Sequence, residues 1–154
     1  MTTQGRVVEA YKLARPDGFD FFTGGTIQYR GLKYPHTVRV PNADASRGIC
    51  SEGVGHAAQS PNNCFVGAKI PCSAYRLRFV PVCGDEMKWG WLEADVVEEI
   101  PQGSLDSLFG WRYSEACQPL NPLVLPVVAD VTAQDVALLQ QWASGRASRG
   151  ASVG

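Results

Sequence analysis

The sequence predicts an α+β fold, mostly antiparallel sheet, with one short central helix and a C-terminal helix. Three observations carry this expectation. Short segments with alternating polarity recur at residues 6–13, 36–40 and 75–82, the period of a half-buried strand. Turn-forming residues punctuate them at 15–18, 41–42 and 83–86. Helix-entry signals are confined to residues 60–68 and 132–143.

Taken in order, residues 6–13 are rich in strand formers, with Val8, Ala10 and Lys12 on one phase. Arg15, Pro16, Asp17 and Gly18 read as a turn, in which proline presets φ and glycine accepts a positive one. Phe19, Phe21 and Phe22 supply aromatic surface for a core edge, and Gly24-Gly25 breaks the chain again. Residues 26–30 and 36–40 read as strands; in the second, Val38 and Val40 oppose Thr37 and Arg39. Pro41 and Asn42 stop it. Ser60 followed by Pro61 is an N-cap with proline at the first helical position, opening a helix to about Ala68.

In residues 75–82, Tyr75, Leu77 and Phe79 share one face while Arg76 and Arg78 take the other. Residues 89–100 read as a second strand, ended by Pro101, and the two are expected to pair as a hairpin. Trp89 and Trp91 fall on one phase of that strand; with Tyr75 opposite they form either an aromatic binding platform or core. Beyond Pro101 come a helical turn at 104–109 and an apolar run spaced by Pro119, Pro122 and Pro126. Thr132 and Asp135 resemble a capping box that opens a helix with Val136, Leu139 and Ala143 at helical spacing. The expected organisation is a domain over residues 1–101, a proline-rich connector packed on it over 102–131, a helix over 132–143, and a low-complexity tail over 144–154 with a period-four Ala-Ser repeat.

A length of 154 residues suits one core-bearing domain. Charged residues are 19% of the chain and the net charge is -1, which leaves no electrostatic footprint for nucleic acid. No polybasic segment points to a membrane surface, and no apolar run points to a signal peptide or a membrane span; the expectation is a cytoplasmic protein. The five cysteines are odd in number and contain no C-x-x-C pair, so they are expected to be reduced thiols without metal.

The densest concentration of chemistry lies in residues 50–64, which hold Cys50, Gly53, Gly55, His56 and Cys64 around a turn or short strand, a polar loop and a helix start. Cys50, His56, Cys64 and Cys72 are spaced C-x5-H-x7-C-x7-C, which matches no compact zinc knuckle or ribbon. A Cys–His nucleophile pair would join Cys50 or Cys64 to His56, but no oxyanion motif or orienting acid is set by spacing.

Two resemblances follow from these residues. Tyr11-Lys12, the glycine-bounded phenylalanine segment, Cys50-x-x-Gly53-x-x-His56-Ala57 and the strand end Val96-Val97-Glu98-Glu99 resemble an uncharacterised domain of bacterial and phage proteins. That domain often precedes arrays of short Ser- and Val-rich or pentapeptide-like repeats. That family implies no established activity; the function expected for the chain is a non-enzymatic N-terminal cap, adaptor or interaction module, with a protein partner or self-association and no cofactor. Read from the residues themselves, the candidate binding residues are Gly53, His56, Tyr75, Trp89 and Trp91. The alternative is an enzyme similar to ADP-ribosyltransferases. Gly53-Val-Gly-His-Ala57, a helix at 61–68, the strand at 75–82, and Glu93 or Glu98 are loosely similar to that family's elements. This resemblance implies NAD as cofactor, stacked near His56, with Glu93 or Glu98 orienting its ribose. Tyr11-Lys12-Leu13 stands where that family has His or Arg followed by Gly or Ser.

Overall fold

The computed structural model describes residues 5–23, 25–118 and 132–150. The chain forms two compact units, residues 1–118 and 119–154. Gly24, the proline-spaced run at 119–131 and the last four residues lie outside the described residues.

The first unit is a seven-stranded antiparallel sheet with short helices, the α+β arrangement expected. Its strands are β1 (Val8–Ala14), β2 (His36–Arg39), β3 (Gly55–Ala58), β4 (Ser73–Phe79), β5 (Cys83–Gly84), β6 (Lys88–Trp91) and β7 (Glu93–Ile100). Their order is β2-β7-β4-β1-β3-β6-β5. The expected pairing of the 75–82 and 89–99 segments is present from Ala74↔Ile100 to Arg78↔Asp95, with a register shift between Arg76 and Leu77. Residues 89–100 are two strands, however. Only Leu92 separates β6 from β7, yet β6 pairs with β3 and β7 with β4 and β2. Strands four places apart in the order can be joined by one residue only if the sheet curls toward closure. Leu92 itself turns its carbonyl to the Val40 N–H at 2.9 Å.

The curl encloses a core of Tyr29, Tyr75, Leu77, Phe79, Trp91 and Val96, all buried. Tyr29 meets Tyr75 at 5.7 Å and Trp91 at 6.4 Å between ring centroids. This core explains residues 26–30, which were expected as a strand. They form a single isolated bridge, Phe19↔Gln28, and deliver Ile27 and Tyr29 into this core.

A second cluster joins Leu13, Cys72, Ala74 and Ile100 to α1 (Leu105–Phe109) and α2 (Tyr113–Ala116). Tyr113 clamps the strand entry: its hydroxyl accepts the Cys72 N–H at 2.8 Å and donates to the Cys72 carbonyl at 3.0 Å. Residues 102–118 therefore complete the first unit, which ends at 118 and not at 101. The expected central helix is a 3-10 helix, Pro61–Val66, entered through Ser60 and Pro61 without a side-chain cap bond.

In the second unit, α3 (Ala133–Gly150) opens on a reciprocal cap. Thr132 donates its N–H and hydroxyl to Asp135 Oδ2, and its Oγ1 accepts the Asp135 N–H. The helix continues to Gly150, past its expected end at 143. Ala143 and Ala147 are strong helix formers, and Ser144 donates to the Gln140 carbonyl at 2.9 Å. No helix among the described residues is long and apolar enough to cross a membrane.

Candidate functional site

The ladder between β1 and β3 consists of one pair, Tyr11↔Ala58. Next to it a cavity of about 850 Å³ opens between the two strands, the 20–29 segment and the loop of residues 41–53. Its wall carries the polar side chains of Lys12, Asp20, Cys50, Glu52, His56 and Lys88.

Lys12 lies on the strand phase shared with Ala10 and Ala14, which otherwise faces core. Its ammonium pairs with Asp20 at 2.8 Å, and both side chains are largely buried. Asp20 also accepts the Phe22 and Thr23 N–H groups, each at 3.2 Å. Burial opposes ionisation of that carboxyl, but Lys12 and the two amides outweigh it and hold its pKa below the ordinary value. Complete burial, and then the same carboxylate, push the Tyr29 hydroxyl well above its ordinary range.

His56 sits on β3 between Gly55 and Ala57. Its Nε2 accepts the Cys50 N–H at 2.5 Å, so its ring is tied to the loop across the cavity. Burial, then the nearby charges of Lys12 and Lys88, lower its pKa from 6.5 to about 4. The imidazole is neutral at physiological pH, and an acceptor at Nε2. Cys50 has a positive φ of 65°, an uncommon conformation for a residue with a side chain. Its sulfur receives the Lys88 ammonium at 3.1 Å. Cys64 is a different kind of thiol: it points its Sγ at the Tyr11 carbonyl, and burial raises its pKa to about 11.

The expected binding residues separate into two groups. Gly53 and His56 line the cavity. Gly53 has φ 86°, and a Cβ there would stand 2.8 Å from the Asn42 carbonyl oxygen, so its part is to let the loop turn back toward β3. Tyr75 and Trp91 are fully buried in the first core, with Trp89 packed partly against it. Tyr75 and Trp91 are packing residues of the curled sheet, and none of the three lines the cavity.

Glu93 and Glu98 lie on β7, three places from β3 across β4 and β1. Glu93 pairs with Arg39 at 2.5 Å, and Glu98 pairs with Arg76. Neither lines the cavity, so the structure does not bring either glutamate to His56. Cys50, Cys64, Cys72, Cys83 and Cys117 are all free thiols. Among the described residues, no three His, Cys, Asp or Glu side chains are grouped to hold a metal ion.

Sequence reasoning missed Lys12, Asp20 and Lys88. The signal for Lys12 was a lysine on the apolar phase of a strand, a position that needs a buried partner. Asp20, six residues after Ala14, is that partner; nothing in local spacing marks Lys88. Comparison with known proteins finds no matching family model, no matching curated protein and no matching solved structure.

Proposed function

We propose that the first unit is a non-enzymatic binding module that takes a small anionic ligand with an apolar portion into the cavity between β1 and β3. The observation that carries this reading is the polar wall of that cavity. Lys12 is neutralised by Asp20, whereas Lys88 makes no ion pair among the described residues and is available to an anion. Beside it, His56 is neutral, and Tyr11, Phe22 and Ile27 offer apolar contact. A concave, mostly apolar pocket with a few convergent polar groups is the usual form of a small-molecule site. The non-enzymatic reading is supported by His56 Nε2, which is engaged by the Cys50 amide, and by Glu93 and Glu98, which are paired elsewhere. In a larger bacterial or phage protein with a short-repeat region, such a unit would act as the receiving adaptor.

The NAD-using reading is favoured by one observation, that His56 lines a cavity of this size. Of the carboxylates in its wall, Asp20 is paired with Lys12, which leaves Glu52 to face a ribose in place of Glu93 or Glu98.

Thermal shift with NAD, adenosine monophosphate, sugar phosphates and dicarboxylates tests both readings. A ligand at a hundred times its dissociation constant adds about 2.7 kcal/mol to the folded state. The expected result is a shift with at least one anion, lost in Lys88→Met, with the ligand recovered intact. Release of nicotinamide from NAD would establish the enzyme reading instead, and no shift with any anion would reject the module reading.

A further inference from the structure

Cys50 and Lys88 are held together from both sides of the cavity mouth. The Cys50 backbone, at a positive φ of 65°, is held by its N–H, which donates to His56 Nε2 at 2.5 Å. The Lys88 backbone is fixed by its pairing with Ala58 and by its N–H to Asp85 Oδ1 at 2.8 Å. Their side chains meet at 3.1 Å, sulfur to nitrogen. Cys50 is also the exposed thiol of the five; Cys72 is buried and the others are partly buried. An accessible sulfur facing a cation is the environment in which oxidation is site-selective.

We propose that Cys50 and Lys88 form an oxidisable pair that peroxide converts into a covalent sulfur–nitrogen bridge, clipping the 41–53 loop to β6. In the first step the Cys50 sulfur attacks hydrogen peroxide. The O–O bond breaks, sulfur gains one oxygen as sulfenic acid, and one water leaves; sulfur is oxidised and peroxide reduced. In the second step Lys88 gives up a proton to solvent and its amine lone pair attacks the sulfenic sulfur. The S–N bond forms, the S–O bond breaks, and the departing hydroxyl leaves as water after taking a second proton from nitrogen. The net change is loss of two hydrogen atoms from the protein, besides the proton that the Lys88 ammonium gives to solvent. Thiol reductants restore the pair by exchange at sulfur. The bridge does not depend on which ligand the cavity takes.

The test is peptide mapping of the full chain after brief treatment with hydrogen peroxide and alkylation of remaining thiols. The wild-type chain should yield a linked species joining the peptide that holds Cys50 to the one that holds Lys88, with cleavage after Lys88 lost and dithiothreitol reversing both. Each of these peptides carries a second cysteine, Cys64 or Cys83, so Cys64→Ser and Cys83→Ser distinguish a disulfide from the bridge; both variants should keep the link. Lys88→Arg, which keeps the charge, should lose the link and accumulate dimedone-trapped sulfenic acid at Cys50. Cys50→Ser should show neither. Loss of the link in Cys83→Ser or Cys64→Ser would overturn the proposal. So would dimedone labelling of wild-type Cys50 without a linked peptide, or equal oxidation of all five cysteines. A native circular dichroism spectrum of each variant keeps these readouts separate from unfolding.

Discussion

His56 links the charge of the cavity to the stability of the fold. Its folded pKa is about 4 against an ordinary 6.5, because burial and two lysines oppose its cation. The unfolded chain therefore takes up the proton first as pH falls. Stability from this residue is complete above about pH 6.5 and is lost as pH drops toward 4, on the order of 2 kcal/mol after solvent screening. His56→Gln keeps an acceptor for the Cys50 amide without a titrating ring. Urea midpoints for this variant should vary less between pH 6.5 and 4 than those of the wild type. An NMR titration placing the wild-type His56 pKa near 6.5 would contradict this account. Asp20 adds a second acid-sensitive contribution: its lowered pKa means that its stabilisation is lost only at still lower pH, as its carboxylate protonates. Gly53 acts through shape and not charge. Alanine there would combine a positive φ of 86° with a Cβ 2.8 Å from the Asn42 carbonyl oxygen, costing about 2 kcal/mol. Gly53→Ala should therefore lower the melting temperature and raise amide exchange over residues 42–53; unchanged exchange there would remove the loop-turn role.

At the scale of elements, stability depends on short helices that the alternation of the strands does not announce. Leu105 is fully buried, and with Phe109 and Tyr113 it covers Leu13, Ala74 and Ile100 on the face of the sheet away from the first core. Leu105→Ala should cost about 2–5 kcal/mol, read as a shift of the urea midpoint without change of slope. A cost near zero would mean that residues 102–118 are only draped on the sheet. The α+β class, β1, β2 and the β4–β7 pairing were legible because their residues alternate over a half-buried sheet. β3 was less so. Gly55, His56, Ala57 and Ala58 include no β-branched residue, and their extended form comes from pairing with β6. Gly55 is there because a Cβ would stand 2.5 Å from Trp91 Cε2. The break at Leu92 was hidden as well, since nothing in residues 89–100 records that the strand passes from one end of a curled sheet to the other. In α3 the cap was readable, but Gly145 and the period-four repeat masked the helical continuation to Gly150. Gly145→Ala should strengthen that helix by about 1 kcal/mol, seen as greater ellipticity at the helical minimum; no gain would argue against a helix through 145.

For the whole molecule, the site was half legible for a physical reason. A cluster of special residues within fifteen positions of sequence is visible without a structure, and Gly53 and His56 do line the cavity. Much of the remaining wall comes from β1, from the 20–29 segment and from Lys88 of β6, brought together because the sheet curls. Long-range closure leaves no local spacing to read, which is why Trp89, Trp91 and Tyr75 could be read either as a surface platform or as core. It also means that the cavity is a property of the first unit as a folded whole. All of its wall lies between Tyr11 and Lys88, and both apolar clusters of the unit lie within residues 8–117. A chain ending at Gln118 therefore holds every residue that the curled sheet and the cavity need. It should fold with one cooperative transition and give the same anion-dependent thermal shift as the full chain. Its Cys50 should keep the selectivity toward peroxide, because Lys88, His56 and Asp85 are all retained. A broad, non-cooperative transition would show that residues after 118 contribute to the core. Cooperative folding with loss of the anion response would show instead that the ligand site extends beyond the first unit.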